Sequence, residues 1–256
     1  MSSIKRFRII KFKKKPFFQV KKLSKSFSKT NLVLNQINFH VNKGEIFGVL
    51  GPNGCGKTTI FNIILGLLSA DEGTISINGE TINAYPTHDR CAKWKISYVP
   101  QNSACFSGLT CEENLEAVGE IKIKDKIKRK EKVQELLVRF NLETKKNTIA
   151  QSLSGGEKKR LAISLALITK PDILLLDEPF SALDPLSVET IREIISDLQK
   201  NSISSVISDH NINSTLMSVD RAILLANSVV VAEGKPRDLL SNSKAKAIYF
   251  GSEFKI

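Results

Sequence analysis

One glycine-rich octapeptide constrains the fold of this chain more than any other stretch. Residues 51–58 read GPNGCGKT, after an apolar segment over residues 46–50 and before an apolar helical pattern over residues 59–68. A G-x-x-x-x-G-K-[ST] run between a strand and a helix is typical of phosphate-binding loops, because its backbone N–H groups and the helix N-terminus attract phosphate oxygens. Lys57 is expected to neutralise phosphate charge, and the Thr58 hydroxyl to ligate Mg²⁺.

A pair of acidic residues ends a second buried segment. Residues 173–178 read ILLLDE, so Asp177 and Glu178 are expected at the carboxyl edge of a sheet, where α/β proteins bind ligands. Asp177 suits a magnesium partner, and Glu178 suits a general base that polarises water. An apolar strand ending in Asp-Glu also occurs at helix caps and surface turns, but the phosphate loop favours the catalytic interpretation.

The hydrophobic pattern predicts an α/β fold. Alternating residues over 17–23 and 33–41, and residues 75–77 before Asn78-Gly79, predict an antiparallel β layer at the N-terminal side. Later apolar runs, such as residues 203–207, alternate with helical patterns and read as buried parallel strands. Residues 102–153 lack such a strand and are expected to form a small helical subdomain.

Length and composition limit the possible classes of protein. The 256 residues, 41% of them hydrophobic, suit one large α/β domain or two small ones. No apolar run approaches the roughly 20 residues that span a bilayer, so a membrane passage would belong to a partner. Four cysteines without a C-x-x-C pair are expected to be reduced thiols in the cytosol.

The positive charge is concentrated at the start of the chain. Twelve Lys or Arg residues precede Glu45, the first acidic residue, whereas the rest of the chain has 26 basic and 26 acidic residues. Residues 1–16 are therefore expected to be a flexible basic extension, either solvated or lying on anionic lipid, before one domain over residues 17–256. A nucleic-acid partner is not expected, because the body of the chain carries no excess positive charge.

A second anion-binding sequence identifies the family. Residues 153–157 read LSGGE at the start of a predicted helix over residues 157–167. With the phosphate loop and the Asp-Glu pair, this segment resembles the signature motif of the ABC ATPases. Gln101 and His210 stand where that family keeps its Q-loop glutamine and switch histidine, and residues 181–184 match its D-loop. The resemblance extends over residues 17–256.

The resemblance implies a P-loop NTPase (RecA-like) core of ABC ATPase type that hydrolyses ATP with Mg²⁺ as a homodimer. It assigns catalysis to Glu178 and His210. It assigns ATP binding to Phe27, Gly51, Pro52, Asn53, Gly54, Cys55, Gly56, Lys57, Thr58, Thr59 and Gln101. Magnesium would be held by Thr58, Gln101 and Asp177. Ser154, Gly155, Gly156 and Glu157 would act across the dimer as the signature motif, next to the D-loop residues Ser181, Ala182, Leu183 and Asp184.

Several stretches resemble the ATPases of lipopolysaccharide export systems, namely residues 85–90, 98–101, 151–157, 209–211 and 248–256. This resemblance implies two transmembrane permeases as partners, a position on the cytoplasmic face of the inner membrane, and a permease-coupling role for Phe106, which could otherwise be a core aromatic. Ala162 and Leu165 depart from the subfamily, which favours Glu and Arg there. The alternatives are an importer of branched-chain amino acids, a soluble ABC ATPase of DNA repair or translation, and a non-hydrolysing binding module.

Overall fold

The computed structural model describes residues 16–28, 30–102 and 104–250. Two features of the sequence therefore lie outside the described residues: the basic extension up to Lys15, and the last six residues of the stretch that resembles lipopolysaccharide export ATPases. Within the described ranges, no helix combines the length and the apolar composition needed to cross a bilayer.

The strands and helices alternate along most of the chain. In chain order the strands are β1 (Phe18–Ser28), β2 (Asn31–Val41), β3 (Ile46–Leu50), β4 (Glu72–Ile77), β5 (Glu80–Thr81), β6 (Ile96–Val99), β7 (Ile173–Asp177), β8 (Ser204–Asp209), β9 (Arg221–Ala226) and β10 (Val229–Gly234). The helices are α1 (Lys57–Leu65), α2 (Thr87–Lys93), α3 (Cys111–Lys122), α4 (Lys126–Arg139), α5 (Gly155–Leu167), α6 (Pro185–Lys200), α7 (Ile212–Leu216), α8 (Pro236–Ser241) and α9 (Ser243–Ala245). Short 3₁₀ turns cover Glu143–Lys145 and Ala150–Ser152, and a π turn covers Lys246–Phe250.

The central sheet has the order β10-β9-β3-β8-β7-β6, with β10 antiparallel to β9 and the other neighbours parallel. Both faces are covered, so alternate residues of one strand enter two different cores. In β7, Ile173 and Leu175 join the core beneath the N-terminal layer, whereas Leu174 and Leu176 join the core beneath the helices. This arrangement explains why the strand sequence is continuously apolar up to Asp177.

The predicted antiparallel layer is present, with the order β2-β1-β4-β5. Asn78 and Gly79 form the tight turn between β4 and β5, and both have positive φ angles, 51° and 84°. Phe39 from this layer stacks on Phe47 of β3 with ring centroids 5.3 Å apart. The aromatic pair therefore packs the layer onto the central sheet close to the start of the phosphate loop.

The segment between β6 and β7 is helical, and its helices begin at side-chain caps. Thr110 and Glu113 form a reciprocal capping box at the start of α3, and Asp125 caps α4. Ala162 and Leu165 of α5 are buried in the core that these helices share with the central sheet. At the two positions where the subfamily favours Glu and Arg, this chain therefore has apolar residues that pack in the core.

Helix α1 is fixed at both ends. It follows Gly56 and ends at Leu65, before Gly66 and three residues short of the end of the predicted helical segment. The buried guanidinium of Arg90 donates hydrogen bonds to the carbonyl oxygens of Ile63 (2.7 Å), Ile64 (2.8 Å) and Tyr85 (2.8 Å). Because the last carbonyls of a helix lack partners within the helix, Arg90 satisfies two of them and holds α1 against the segment before α2.

Candidate functional site

The phosphate loop connects β3 to α1 and needs its glycines. Gly54 and Gly56 have φ angles of 81° and 101°, a region that disfavours side chains, and a Cβ at Gly56 would lie 2.7 Å from Leu34 Cδ2 of β2. The Lys57 ammonium donates to the carbonyl oxygens of Gly51 (2.8 Å) and Pro52 (3.0 Å). Its positive charge is thus held over the loop by the backbone of the same loop.

Asp177 is the meeting point of three hydroxyl groups. Its carboxylate accepts hydrogen bonds from Thr58 Oγ1 (3.1 Å), Tyr98 Oη (3.1 Å) and Ser208 Oγ. Burial and the neighbouring Asp177 charge raise the pKa of Tyr98, so this phenol stays a proton donor. The structure therefore joins the end of β7 to the first turn of α1 through the hydrogen bond between Thr58 and Asp177.

Glu178 lies immediately after β7 and faces the same cavity. Its Oε2 accepts a 2.7 Å hydrogen bond from Gln101 Nε2 and lies 3.2 Å from His210 Nδ1. Its backbone has a φ angle of 47° and donates from its N–H to the Ser208 carbonyl at 2.8 Å. A non-glycine residue in this left-handed region is uncommon and often belongs to a functional site. Two polar groups therefore fix the Glu178 carboxylate, and a backbone hydrogen bond fixes its main chain.

Gln101 and Glu178 line an open cavity of about 520 Å³ beside the phosphate loop. The lining residues include the predicted ATP-binding residues Phe27, Asn53, Gly54, Gly56, Lys57, Thr58, Thr59 and Gln101, together with Glu178. Phe27 is 58% exposed and lies at the end of β1, so its ring is accessible for stacking. The cavity thus combines an exposed aromatic ring, a phosphate loop and a carboxylate, in a volume that suits a small-molecule ligand.

The signature motif does not line this cavity in the part of the chain that the structure describes. Ser154 caps α5 in a capping box with Glu157, and Ser154 and Gly155 are exposed, whereas Gly156 is buried beneath Ser187. A Cβ at Gly155 would lie 3.4 Å from Leu183 Cδ2 of the predicted D-loop. Within one copy, the exposed residues Ser154 and Gly155 therefore do not contribute to the cavity of the phosphate loop.

The predicted D-loop lies between Glu178 and α6. Ala182 has a φ angle of 57°, and Asp184 caps α6 by accepting from the Ser187 hydroxyl (2.6 Å) and backbone N–H (3.0 Å). These hydrogen bonds lower the pKa of Asp184, so the cap stays ionised. The D-loop is therefore a fixed turn, beside the signature motif of its own chain.

Phe106 is 54% exposed, which contradicts the alternative of a buried core aromatic. The buried side chain of Asn114 accepts from the Phe106 N–H (2.7 Å) and donates to the Phe106 carbonyl (3.0 Å). The backbone of this loop is thus fixed by α3 while the aromatic ring stays at the surface.

Sequence reasoning missed three groups at the site. Tyr98 and Ser208 contact Asp177 from β6 and β8, the strands that flank β7. Lys159 on α5 is 5% exposed and donates from Nζ to the Gln101 carbonyl at 3.2 Å. In the sequence, each of these three residues is a polar residue within or beside an apolar segment. What they contact depends on the order of the strands and on the position of α5.

The sequence profile described as ABC transporter matches residues 34–181, which include the phosphate loop, the signature motif and the Asp-Glu pair. The chain belongs to the ABC transporter family. Two similar relatives are the Lipopolysaccharide export system ATP-binding proteins LptB of Haemophilus influenzae and Escherichia coli K12. The first is 42% identical, covering 91% of this chain and 97% of the relative. The second is 38% identical, covering 92% of this chain and 98% of the relative.

Solved structures of ABC transporter cassettes share the fold. An ATP-binding cassette in its ADP conformation superposes with a TM-score of 0.81 and 26% identity, covering 93% of this chain and all of that one. A dimeric cassette in a post-hydrolysis state, bound to ADP and Pi, has a TM-score of 0.76 and 29% identity, covering 86% of this chain and 99% of that one. The predicted ABC ATPase fold is therefore confirmed, and the chain is an ABC-type ATPase.

Proposed function

We propose that this chain hydrolyses ATP to power the export of lipopolysaccharide through two transmembrane permeases. The observation that carries the proposal is the 42% identity, over 91% of the chain, to a lipopolysaccharide export ATP-binding protein. A relative this similar over its whole length supports a shared task as well as a shared fold. The transmembrane path belongs to the permeases, and the chain is peripheral to the cytoplasmic face of the inner membrane.

ATP binds in the cavity that contains the phosphate loop. Phe27 stacks on the adenine ring, and the backbone N–H groups of residues 51–58 surround the phosphates. Lys57 neutralises charge on the β- and γ-phosphates, from a position that its hydrogen bonds to Gly51 and Pro52 already restrict. Because this ammonium is held in advance, binding requires little reorganisation of the loop.

Glu178 is the general base of hydrolysis, and His210 orients it. The carboxylate accepts a proton from the water that attacks the γ-phosphate, a step typically worth about 10²- to 10⁴-fold in rate. Gln101 and His210 both contact Oε2 of Glu178, so they fix the direction of the carboxylate. A general base must be placed to within a hydrogen-bond length of its proton, and these two contacts supply that restraint.

The donor set of the site fits Mg²⁺. Magnesium prefers oxygen ligands and usually takes few from the protein, because phosphates and water supply the others. Thr58 Oγ1 lies 3.1 Å from the Asp177 carboxylate, so both oxygens belong to one small region, and the Gln101 Nε2 bond to Glu178 reserves the Oε1 atom of Gln101 for a cation. The ion would supply charge neutralisation on the phosphates during transfer.

The enzyme works as a homodimer. Ser154 and Gly155 are exposed and do not line the cavity of their own chain, so a second copy would bring a signature motif to the bound ATP. A helix N-terminus with exposed N–H groups and a serine hydroxyl is suited to a γ-phosphate. The dimeric cassette with ADP and Pi supports this arrangement.

The helical segment over residues 102–153 is the part that receives the permeases, within one ABC domain over residues 17–256. Phe106 is fixed in its backbone and exposed in its side chain, which suits an aromatic anchor for a partner helix. The loop also begins close to Gln101, which contacts Glu178. A movement of the partner helix at Phe106 is therefore transmitted through Gln101 to the Glu178 carboxylate.

The test is lipid transfer by the reconstituted complex of this ATPase and its co-purified permeases. With ATP, lipopolysaccharide should move from the proteoliposomes to an acceptor, and a non-hydrolysable analogue should support no repeated transfer. Cells depleted of the chain should accumulate lipopolysaccharide in the inner membrane. Hydrolysis without lipid movement, together with impaired uptake of leucine, isoleucine and valine in depleted cells, would contradict lipopolysaccharide export and favour an importer.

A further inference from the structure

Lys159 is a buried cation that none of the roles above uses. It lies on α5, five residues after Ser154, and only 5% of it is exposed. Its ammonium donates to the main-chain carbonyl of Gln101 at 3.2 Å. Burial of a lysine is costly unless its charge is compensated, so a lysine at this place requires a physical reason.

The surroundings of Lys159 are strongly acidic. Burial lowers its pKa, while the negative charges of Asp177, Asp209 and Glu178 act in the opposite direction and favour the ammonium form. Asp209 is fully buried, and its Oδ2 has no hydrogen-bond partner among the described residues. Three carboxylates of the site therefore favour the ammonium form of Lys159, while its hydrogen bond is directed at the Gln101 carbonyl.

The contacts form a continuous sequence from the signature motif to the catalytic carboxylate of the same chain. Ser154 caps the helix that carries Lys159, and five residues of helix correspond to a rise of about 7.5 Å. Lys159 holds the main chain of Gln101, and the Gln101 side chain donates to Glu178 at 2.7 Å. Ser154 is the N-cap of the helix that contains Lys159, so a rigid-body shift of this helix moves both residues.

We propose that Lys159 is a positioning residue that passes engagement of the signature motif by a second copy to Gln101 and Glu178 of its own chain. The inference rests on the dimer of the proposed function, because a second copy must supply the ATP that Ser154 contacts. It makes the two ATP sites of the dimer communicate through α5. It does not depend on which substrate is transported.

The test uses Lys159→Met, with Lys158→Met as the matched control. Lys158 is the half-buried neighbour on the same helix, and its side chain is not bonded to Gln101. We expect Lys159→Met to bind ATP with a Kd within about twofold of the parent, because the contacts of Lys57 are intact. The kcat should fall about tenfold or more, as expected when a charge-assisted hydrogen bond is lost, while KM changes little. The Hill coefficient for ATP should fall towards one.

Two further variants separate positioning from stability. Lys159→Arg keeps the cation and the donor and should recover most of the kcat. In the Gln101→Ala background, Lys159→Met should add little further loss, because the path through the Gln101 side chain is already broken. If the loss of kcat in the double variant equals the product of the losses in the two single variants, the proposal is overturned. An unchanged Hill coefficient would also overturn it, as would equal losses of ATP binding, turnover and thermal stability in Lys159→Met.

The outcomes also distinguish this inference from the proposed function. If lipid transfer fails but ATP hydrolysis shows the Lys159 dependence, the substrate assignment is wrong and the coupling stands. If the Glu178→Gln variant forms no dimer with ATP, both the dimer and the coupling are overturned.

Discussion

Gln101 Nε2 donates a 2.7 Å hydrogen bond to the Oε2 atom of Glu178, across 77 residues of sequence. The amide thereby fixes the direction of the carboxylate through a contact within the chain itself. His210 Nδ1 lies 3.2 Å from the same oxygen, so one atom of Glu178 is shared by two neighbours from different elements. Changes at Glu178 should therefore affect chemistry more than binding.

Glu178→Gln should retain ATP affinity and lose turnover by about 10²-fold or more, because an amide has the same shape but cannot accept a proton. The variant should also accumulate as a dimer with ATP, because the proposed dimer would close around ATP and could not hydrolyse it. ATP binding, phosphate release and size exclusion with ATP measure the three effects. Glu131→Gln on the exposed face of α4 is the control. Turnover near that of the parent would contradict the general-base role.

Lys57→Ala should weaken ATP binding itself. The residue is 5% exposed and two loop carbonyls hold its ammonium, so its removal takes positive charge from the phosphate site and leaves both carbonyls without this donor. The loss should be about tenfold or more in Kd, measured by nucleotide titration. Lys200→Ala, at the exposed end of α6, should bind ATP as the parent does. An equal Kd in both variants would refute the role of Lys57.

Phe106→Ala should reduce co-purification with the permeases and leave ATP binding unchanged. The ring is 54% exposed, so its removal creates no large core cavity, and the backbone of the loop remains bonded to Asn114. Leu67→Ala, which truncates another exposed apolar side chain, is the control. Undiminished capture of the permeases by Phe106→Ala would place the coupling surface elsewhere.

The capping box of α5 predicts a pH dependence of stability. The Ser154 N–H bond is the main cause that lowers the pKa of Glu157 from its ordinary value of 4.5. Because the folded-state pKa is depressed, ionised Glu157 stabilises the fold above pH 4.5, and this contribution is lost as the pH falls through the lower folded value. Urea unfolding should show a stability difference between the parent and Glu157→Gln at pH 7 that shrinks below pH 4.5. A difference independent of pH would argue against the ionised cap.

Arg90→Lys should destabilise the protein by about 2–4 kcal/mol, because a lysine cannot reproduce the fork of hydrogen bonds and leaves buried carbonyls without donors. The loss should appear as a lower midpoint in urea unfolding. His88→Ala on the same helix is the control, since that imidazole is 81% exposed. Similar midpoints for the two variants would show that the Arg90 contacts contribute little.

The sequence predicted the phosphate loop, the β layer and the parallel core because these features depend on local spacing and on alternation of apolar residues. It predicted the positions of Asp177 and Glu178 because a strand sequence determines where its carboxyl end lies. The contacts of Tyr98, Ser208 and Lys159 could not be predicted, since they depend on which strands are neighbours and on how α5 crosses the sheet. The end of α1 was also missed: Gly66 terminates the helix while the apolar pattern continues to Leu68.

The three hydroxyl groups around Asp177 have a consequence for how the protein is made on the ribosome. Thr58, Tyr98 and Ser208 are separated from Asp177 by 119, 79 and 31 residues, respectively. The phosphate loop therefore leaves the ribosome long before β7 and β8, which supply Asp177 and Ser208. A nascent chain cannot assemble the proposed hydrolytic centre until translation has passed β8, so a truncated product that stops earlier would retain the loop but lack the proposed catalytic residues.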